Sequence, residues 1–367
     1  MSNMEKTGLY IHIPFCIRKC GYCDFVSFEG ISSEKKEQYI SAVLEDMKEY
    51  SGEEIDTIYV GGGTPTTLDI KQIKTLIDAV YDNFKVADNA EITIECNPKT
   101  ADYEYFKSLK EYGFNRLSIG VQSLNDSHLS FLGRAHNSIE AISCINQAKL
   151  SGFENFSVDV MFGLPNQTIE DIKNTLEKLT DMSPSHISCY SLIIEPGTAF
   201  YEREVQPLDD DKERDMQSFI VEYLKDKGYN RYEISNFAKG NMYSKHNLKY
   251  WNLTPYIGVG IKASSYYGGY RYEKTDDFDA YINSPTEKKN LQKVTKDEEM
   301  SEFMFLGLRK ADGVSFSEFY RKFGIEIEEK YNIKRNISLG LLIKKGDRLY
   351  LSERGIDVSN SVLCDFV

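Results

Sequence analysis

Cys16-Ile17-Arg18-Lys19-Cys20-Gly21-Tyr22-Cys23 places three thiols on one short loop, directly after the apolar run Leu9–Ile13. No fourth cysteine is nearby, the next being Cys96. A structural zinc normally closes its shell with four protein ligands, and two closely spaced Cys or His pairs are absent. Iron–sulfur clusters are held by thiolates on loops of this kind. Three protein thiolates on a four-iron cube leave one iron open to an exogenous ligand.

What surrounds this loop is a regular alternation. Candidate strands at Leu9–Ile13, Thr57–Val60, Glu91–Cys96, Arg116–Gly120, Ser157–Phe162 and His186–Leu192 are separated by amphipathic helical patterns. Ile70, Ile73, Leu76, Ile77, Val80 and Phe84 recur at steps of three and four, one apolar stripe that must lie on a sheet. Right-handed crossovers curl such a series into a partial (β/α)6 barrel of the TIM type, whose strand ends share one rim. On that rim fall the cysteine loop, Gly61-Gly62-Gly63-Thr64-Pro65, Glu95-Cys96-Asn97-Pro98, Gln122-Ser123 and Gly163-Leu164-Pro165. Chemistry is expected there.

After about Gly240 the alternation stops, so we divide the chain into a barrel over 1–238 and a smaller C-terminal α+β domain over 239–367, expected to cover the barrel mouth. Glu299–Lys310, Ser315–Phe323 and a hairpin of Leu339–Ile343 and Arg348–Leu351 read as a winged-helix-like unit. Residues 310–367 hold 10 Lys and Arg against 9 Asp and Glu, far from the basic stripe of a DNA reader.

Composition agrees with a soluble α/β protein. The 367 residues are 41% hydrophobic and 28% charged, and a core of this size buries roughly three quarters of the unfolded chain's surface. The net charge of −13 disfavours a nucleic-acid partner. Residues 1–8 show no apolar leader, and no run approaches the ~18 apolar residues of a membrane span, so a cytoplasmic location is expected. Seven cysteines, three of them clustered, read as metal binding in a reducing compartment. Cys96, Cys144, Cys189 and Cys364 are expected to be buried free thiols.

C-x-x-x-C-x-x-C after a first strand resembles the signature of the radical S-adenosylmethionine (SAM) superfamily. The resemblance implies a 4Fe-4S cluster held by Cys16, Cys20 and Cys23, with SAM on the open iron. Tyr10-Ile-His-Ile-Pro-Phe-Cys16, Gly61-Gly-Gly-Thr-Pro65, Gly120-Val-Gln-Ser123 and Gly163-Leu-Pro165 narrow it to proteins similar to oxygen-independent coproporphyrinogen III oxidase. Two features depart from the oxidases: Cys23 is followed by Asp24-Phe25, where they add another Cys, and their long N-terminal extension is missing. The short N-terminus, Cys-Asp-Phe and His246-Asn-Leu-Lys-Tyr-Trp251 instead resemble the HemW-type heme chaperone branch. The rival expectation is the oxidase itself, decarboxylating porphyrinogen propionates.

By the same resemblance Gly62, Gly63 and Thr64 contact SAM, and Gln122, Arg134 and Asp159 match further cofactor-contacting positions. A tight turn alone would also explain the glycines. Glu95, at a strand end, can accept hydrogen bonds from the SAM ammonium or ribose, or be a solvated acid. Tyr10 and Tyr22 can pack on cluster or adenosine, or belong to the core. His246 can ligate heme iron, or its segment can close the barrel mouth by packing. The resemblance implies heme, heme-accepting apoproteins and a flavodoxin- or ferredoxin-type electron donor as partners. Peripheral membrane contact, homodimer formation and the number of SAM molecules stay open.

Overall fold

The computed structural model describes residues 6–367; residues 1–5, most of the stretch read above as lacking a leader, lie outside it. Six parallel strands form in sequence order and hydrogen-bond in that order: β1 (Thr7–Ile13), β2 (Glu54–Gly62), β3 (Lys85–Cys96), β4 (Arg116–Gln122), β5 (Phe156–Phe162) and β6 (His186–Ser191). All six expected strands are present, with helices between them, as a partial (β/α)6 barrel requires. The helix Ile70–Asn83 buries Ile73, Leu76, Ile77 and Val80, and Asp69 with Gln72 closes its first turn in a reciprocal capping box.

Alternate residues explain the barrel. Leu9, Ile11 and Ile13 of β1, Ile58 and Val60 of β2, Ile92 and Ile94 of β3, and Leu117, Ile119 and Val121 of β4 are all buried in the main apolar core. Their neighbours on the opposite face are polar: Tyr10 and His12, Thr57 and Tyr59, Glu91, Thr93 and Glu95, Arg116 and Ser118, Ser157 and Asp159, His186 and Ser188. Registers such as Thr57↔Glu91, Glu95↔Ser118, Ser118↔Ser157 and Ser157↔His186 put them side by side. Period two thus sends the apolar set to the helices and the polar set into the lumen.

The sheet does not end at the barrel. Beyond β6 lie β7 (Asn236–Ala238) and the two-residue strand Asn230–Arg231, both antiparallel. On the other side β8 (Tyr256–Val259) runs parallel to β1, followed by antiparallel β9 (Ser264–Tyr267), β10 (Tyr270–Glu273) and β11 (Lys289–Lys293). Twelve strands share this sheet. The C-terminal helices Lys296–Gly307 and Phe316–Phe323 and the hairpin Leu342–Lys345/Arg348–Leu351 enclose a second apolar core around Phe303, Phe319, Phe323 and Leu349.

The helix Lys245–Trp251 sits elsewhere than expected. Backbone N–H groups of Lys245 and His246 donate to Glu91 at 3.1 Å, and Lys249 pairs with Asp56 at 2.6 Å. A Cβ on Gly8 would lie 2.8 Å from the Lys249 side chain and 3.2 Å from the His246 ring, so the helix packs closely on β1 at this glycine. Gly8, Thr57 and Glu91 form one rung, and Gly61 lies four residues further along β2, roughly 13 Å away at ~3.3 Å per residue. The helix therefore closes the barrel at the strands' N-terminal ends, not at the mouth.

One buried ion pair staples the added strands to the barrel's first helix, Ser33–Lys48. Lys274 Nζ lies 2.6 Å from Asp46 Oδ1, both side chains being fully buried, and Asp46 also accepts from Tyr281 at 2.9 Å. Removing one partner of such a pair strands the other charge at a cost of ~3–5 kcal/mol. Lys274→Ala is expected to lower unfolding free energy by about that amount in urea titrations; a loss near zero would show that the pair contributes nothing.

Candidate cluster and cofactor site

The cysteine loop leaves β1 at Phe15 and is pinned on two sides. Gly21 N–H donates to the Leu132 carbonyl at 3.0 Å, and its own carbonyl accepts from Phe200 N–H at 2.8 Å. A Cβ on Gly21 would meet the Phe200 ring at 2.3 Å, so this position admits only glycine. Cys16, Cys20 and Cys23 are free and half-buried. Burial pushes the Cys23 thiol up to about 11, with Cys20 and Cys16 adding to the shift, and burial also raises Cys16. Such thiols stay protonated until a metal displaces the proton.

The Gly-Gly-Gly-Thr loop after β2 packs directly on the first of these cysteines. Gly63 and Thr64 donate to the carbonyls of Ile13 and Phe15 at 2.9 and 2.8 Å, and a Cβ on Gly63 would come within 3.0 Å of Cys16 Sγ. Gly62 holds φ +112° above the His12 ring, where a Cβ would fall 2.5 Å from the imidazole. Thr64 Oγ1 accepts from Asn97 Nδ2 at 2.6 Å and faces Cys16 Sγ at 3.8 Å.

Arg134 joins Cys20 and Tyr22 to the strand ends. Its Nη1 lies 3.5 Å from both Cys20 Sγ and the Tyr22 oxygen, while Nη2 donates to the Gly120 carbonyl at 2.6 Å and to Asn97 Oδ1. Its Nε is buried with no partner. Glu95 accepts from Tyr59 at 2.8 Å and from Gly62 N–H at 3.0 Å, and burial, with Asp159 nearby, pushes its carboxyl up to about 7. Asp159 accepts from Ser118 at 3.2 Å and is likewise raised by burial. Gln122 sits at φ +66° past a register shift in β4, which turns its amide onto the Tyr190 hydroxyl at 2.8 Å. Tyr10 bonds His12 Nδ1 at 2.8 Å and stacks on Tyr59 at 6.2 Å, and Tyr22 tilts against Phe200 at 6.4 Å.

His246 stands apart from this group. It is 1% exposed, with Nδ1 on Thr57 Oγ1 and Nε2 on the Tyr250 oxygen, each at 2.9 Å. Its ring stacks on Tyr59 at 5.2 Å, and burial, with Lys249 and Arg116 nearby, lowers its pKa to about 3. Both nitrogens being engaged, iron ligation by His246 requires giving up one hydrogen bond and opening this end of the barrel.

Three positions escaped the sequence reading. Asn97 bridges Thr64 to Arg134; it stood within the quoted Glu95–Pro98 rim segment, but nothing in its type marked it. Tyr59 and Tyr190 orient Glu95 and Gln122, and period two along β2 and β6 was the available signal. Cys364 is exposed, unlike the other three scattered cysteines, because it lies in the short C-terminal turn Cys364–Phe366.

The residues fit an iron–sulfur cluster with an open iron. The donors are three free thiols, and among the described residues no group of three His, Cys, Asp or Glu side chains is already gathered to metal-binding geometry. Gly63 packs against Cys16, Arg134 Nη1 lies at Cys20, and the buried Arg134 Nε has no partner, a donor left for a polar ligand. The family model described as Radical SAM superfamily matches residues 10–179, and that described as HemN C-terminal domain matches residues 294–358. The fold is that of the solved coproporphyrinogen III oxidase (HemN) from Escherichia coli, with TM-score 0.87 over 98% of this chain and 90% of that one, at 21% identity. Heme chaperone HemW of Lactococcus lactis subsp. lactis (strain IL1403) is 36% identical across 99% of this chain and 98% of its own length. That of Bacillus subtilis (strain 168) is 36% identical across 98% of each. With a radical SAM barrel, a HemN-type C-terminal region and full-length likeness of this degree, the chain belongs to the HemW heme chaperone family.

Proposed function

We propose that this chain binds heme and passes it to apoproteins, and that a 4Fe-4S cluster on Cys16, Cys20 and Cys23 and a bound SAM set its structure or gate its release. The observation that carries the reading is a three-thiol loop on a chain that heme chaperones match from end to end. Phe25, 55% exposed, stands where the oxidases carry a further cysteine, which favours the chaperone over decarboxylation of porphyrinogen propionates. When bound, the cluster supplies an open iron for the methionyl end of SAM and one-electron reduction of its sulfonium.

The chain's own residues then divide the work. Gly62 and Gly63 let the loop pack onto His12 and Cys16, and Thr64, held by Asn97, presents a hydroxyl beside Cys16. Arg134 offers its free Nε to a carboxylate. Glu95 and Asp159 accept from ammonium or ribose donors, Gln122 and Tyr190 bound the lumen, and Tyr10 and Tyr22 provide ring faces. We assign the cluster and SAM to residues 1–238 and heme delivery to 239–367, with an electron donor of the flavodoxin or ferredoxin type and a cytoplasmic setting. Among the described residues no helix is long and apolar enough to cross a membrane.

Two measurements test this. Anaerobically reconstituted protein is expected to bind iron and hemin stoichiometrically, to quench its single tryptophan, Trp251, on hemin addition, and to form no protoporphyrinogen from coproporphyrinogen III with SAM and reductant. Catalytic product formation would reverse the reading. His246→Ala separates ligation from packing: unchanged hemin affinity assigns the ring to the barrel plug alone.

Glu95 yields a third. Its folded pKa, about 7, exceeds the ordinary 4.5, so the folded state keeps this proton longer. Stability from the group is complete below pH ~4.5 and declines as pH rises toward 7. Glu95→Gln is expected to flatten the fall of the urea midpoint across that window. In the wild type, SAM affinity should rise with pH through about 7 as the carboxylate forms; identical pH profiles in both proteins would remove Glu95 from the SAM site.

A further inference from the structure

Tyr250 faces two ways. Its hydroxyl meets His246 in the barrel plug, and its ring helps line a cavity of about 450 Å³. The remaining walls come from Leu253, Tyr256 of β8, Tyr266 of β9, Arg271 of β10, and Glu302, Phe305 and Leu306 of the Lys296–Gly307 helix. The volume falls in the ~300–1,000 Å³ range of small-molecule sites. We propose that this cavity is the heme site, taking a ferric tetrapyrrole edge-on between the aromatic walls with the Tyr256 oxygen on the iron. The inference rests on the heme reading above and adds to it a place and a ligand.

The chemistry of the lining selects such an occupant. Tyr250 and Tyr256 meet edge to face at 4.7 Å, and Phe305 and Leu306 are partly accessible, so the cavity offers apolar and ring surface to a flat molecule. The lining has no His, Cys or Met, which leaves oxygen as the donor for a metal. Glu302 is held by both Nε and Nη2 of Arg271, at 2.8 and 2.7 Å. Of the three phenols, Tyr250 is engaged with His246 and Tyr266 donates to Glu299. Tyr256 has its oxygen on the accepting side, receiving Arg271 Nη1 at 3.4 Å.

A guanidinium at that distance favours phenolate, while burial opposes it and keeps the phenol protonated when no metal is present. Ferric iron tips the balance: the Fe–O bond forms as a water leaves the iron, the phenol proton goes to solvent, and no electron moves. Tyrosinate is a known proximal ligand for ferric heme. The arrangement also keeps heme away from the cysteine loop, because the Lys245–Trp251 helix packs at the opposite end of the barrel. Heme and SAM therefore need not compete for one cavity.

Hemin titration of the full-length chain tests the site. Tyr256→Phe removes one oxygen and is expected to abolish the phenolate-to-iron charge-transfer band and weaken hemin binding about tenfold or more, a loss of about 1.4 kcal/mol. Leu306→Trp fills the cavity and is expected to remove stoichiometric binding while leaving iron content after reconstitution unchanged. Matched thermal unfolding of the variants excludes misfolding. If the wild type binds hemin and both variants bind it with the same affinity and spectrum, the cavity is overturned and the heme reading stands. If the wild type takes up no hemin, that reading itself falls.

Discussion

Arg134 is the contact on which the arrangement of the rim depends. One guanidinium reaches Cys20 and Tyr22 on the loop after β1, Asn97 after β3 and the Gly120 carbonyl in β4. Three segments far apart in sequence are thereby fixed by one planar group, whose fork geometry a lysine could not supply. Asn97 extends the tie to Thr64 and so to Cys16. The loop that would hold the metal is thus oriented from outside itself, by groups whose positions are set by parallel-strand register.

That register also accounts for a barrel with a polar interior. Helices cover the outer face, so every second strand residue must be apolar, and the intervening residues face one another. The carboxyl groups placed there are bonded: Glu95 to Tyr59 and Gly62, Asp159 to Ser118, and Glu91 to the backbone of Lys245 and His246. Burial still raises the carboxyl groups of Glu95 and Asp159. These two carboxyl groups therefore stand ready to accept from a polar or cationic ligand on the lumen side.

The strands and the cysteine loop were legible because both are local. Period two and the helical stripe are written in consecutive residues, and the spacing of Cys16, Cys20 and Cys23 puts them on one loop whatever the rest does. The rim was legible by topology, since all strand ends of a parallel barrel share a side. What stayed hidden was long-range. Nothing near His246 says that its partners are Thr57 and Glu91, 189 and 155 residues away. The continuation of the sheet through Tyr256–Val259 was equally silent, because four residues pairing with β1 leave no periodic trace. Asn97 and Arg134 were visible as residues, but only the folded chain shows them bonded to each other.

The spacing within His246-Asn-Leu-Lys-Tyr-Trp251 explains why this segment invites two readings. On a helix, residues four apart share a face, so His246 and Tyr250 meet and bond to each other. The first turns into the lumen under Thr57; the second reaches past the helix to Tyr256, and Trp251 turns toward Arg309, whose guanidinium lies 5.6 Å from its ring. One short helix thus closes the barrel with its histidine and walls the neighbouring cavity with its tyrosine. A histidine beside an aromatic pair looks from sequence like a heme ligand. In the fold its ring is bonded to Thr57 and Tyr250, and the Tyr256 oxygen proposed above for iron stands on the neighbouring strand β8.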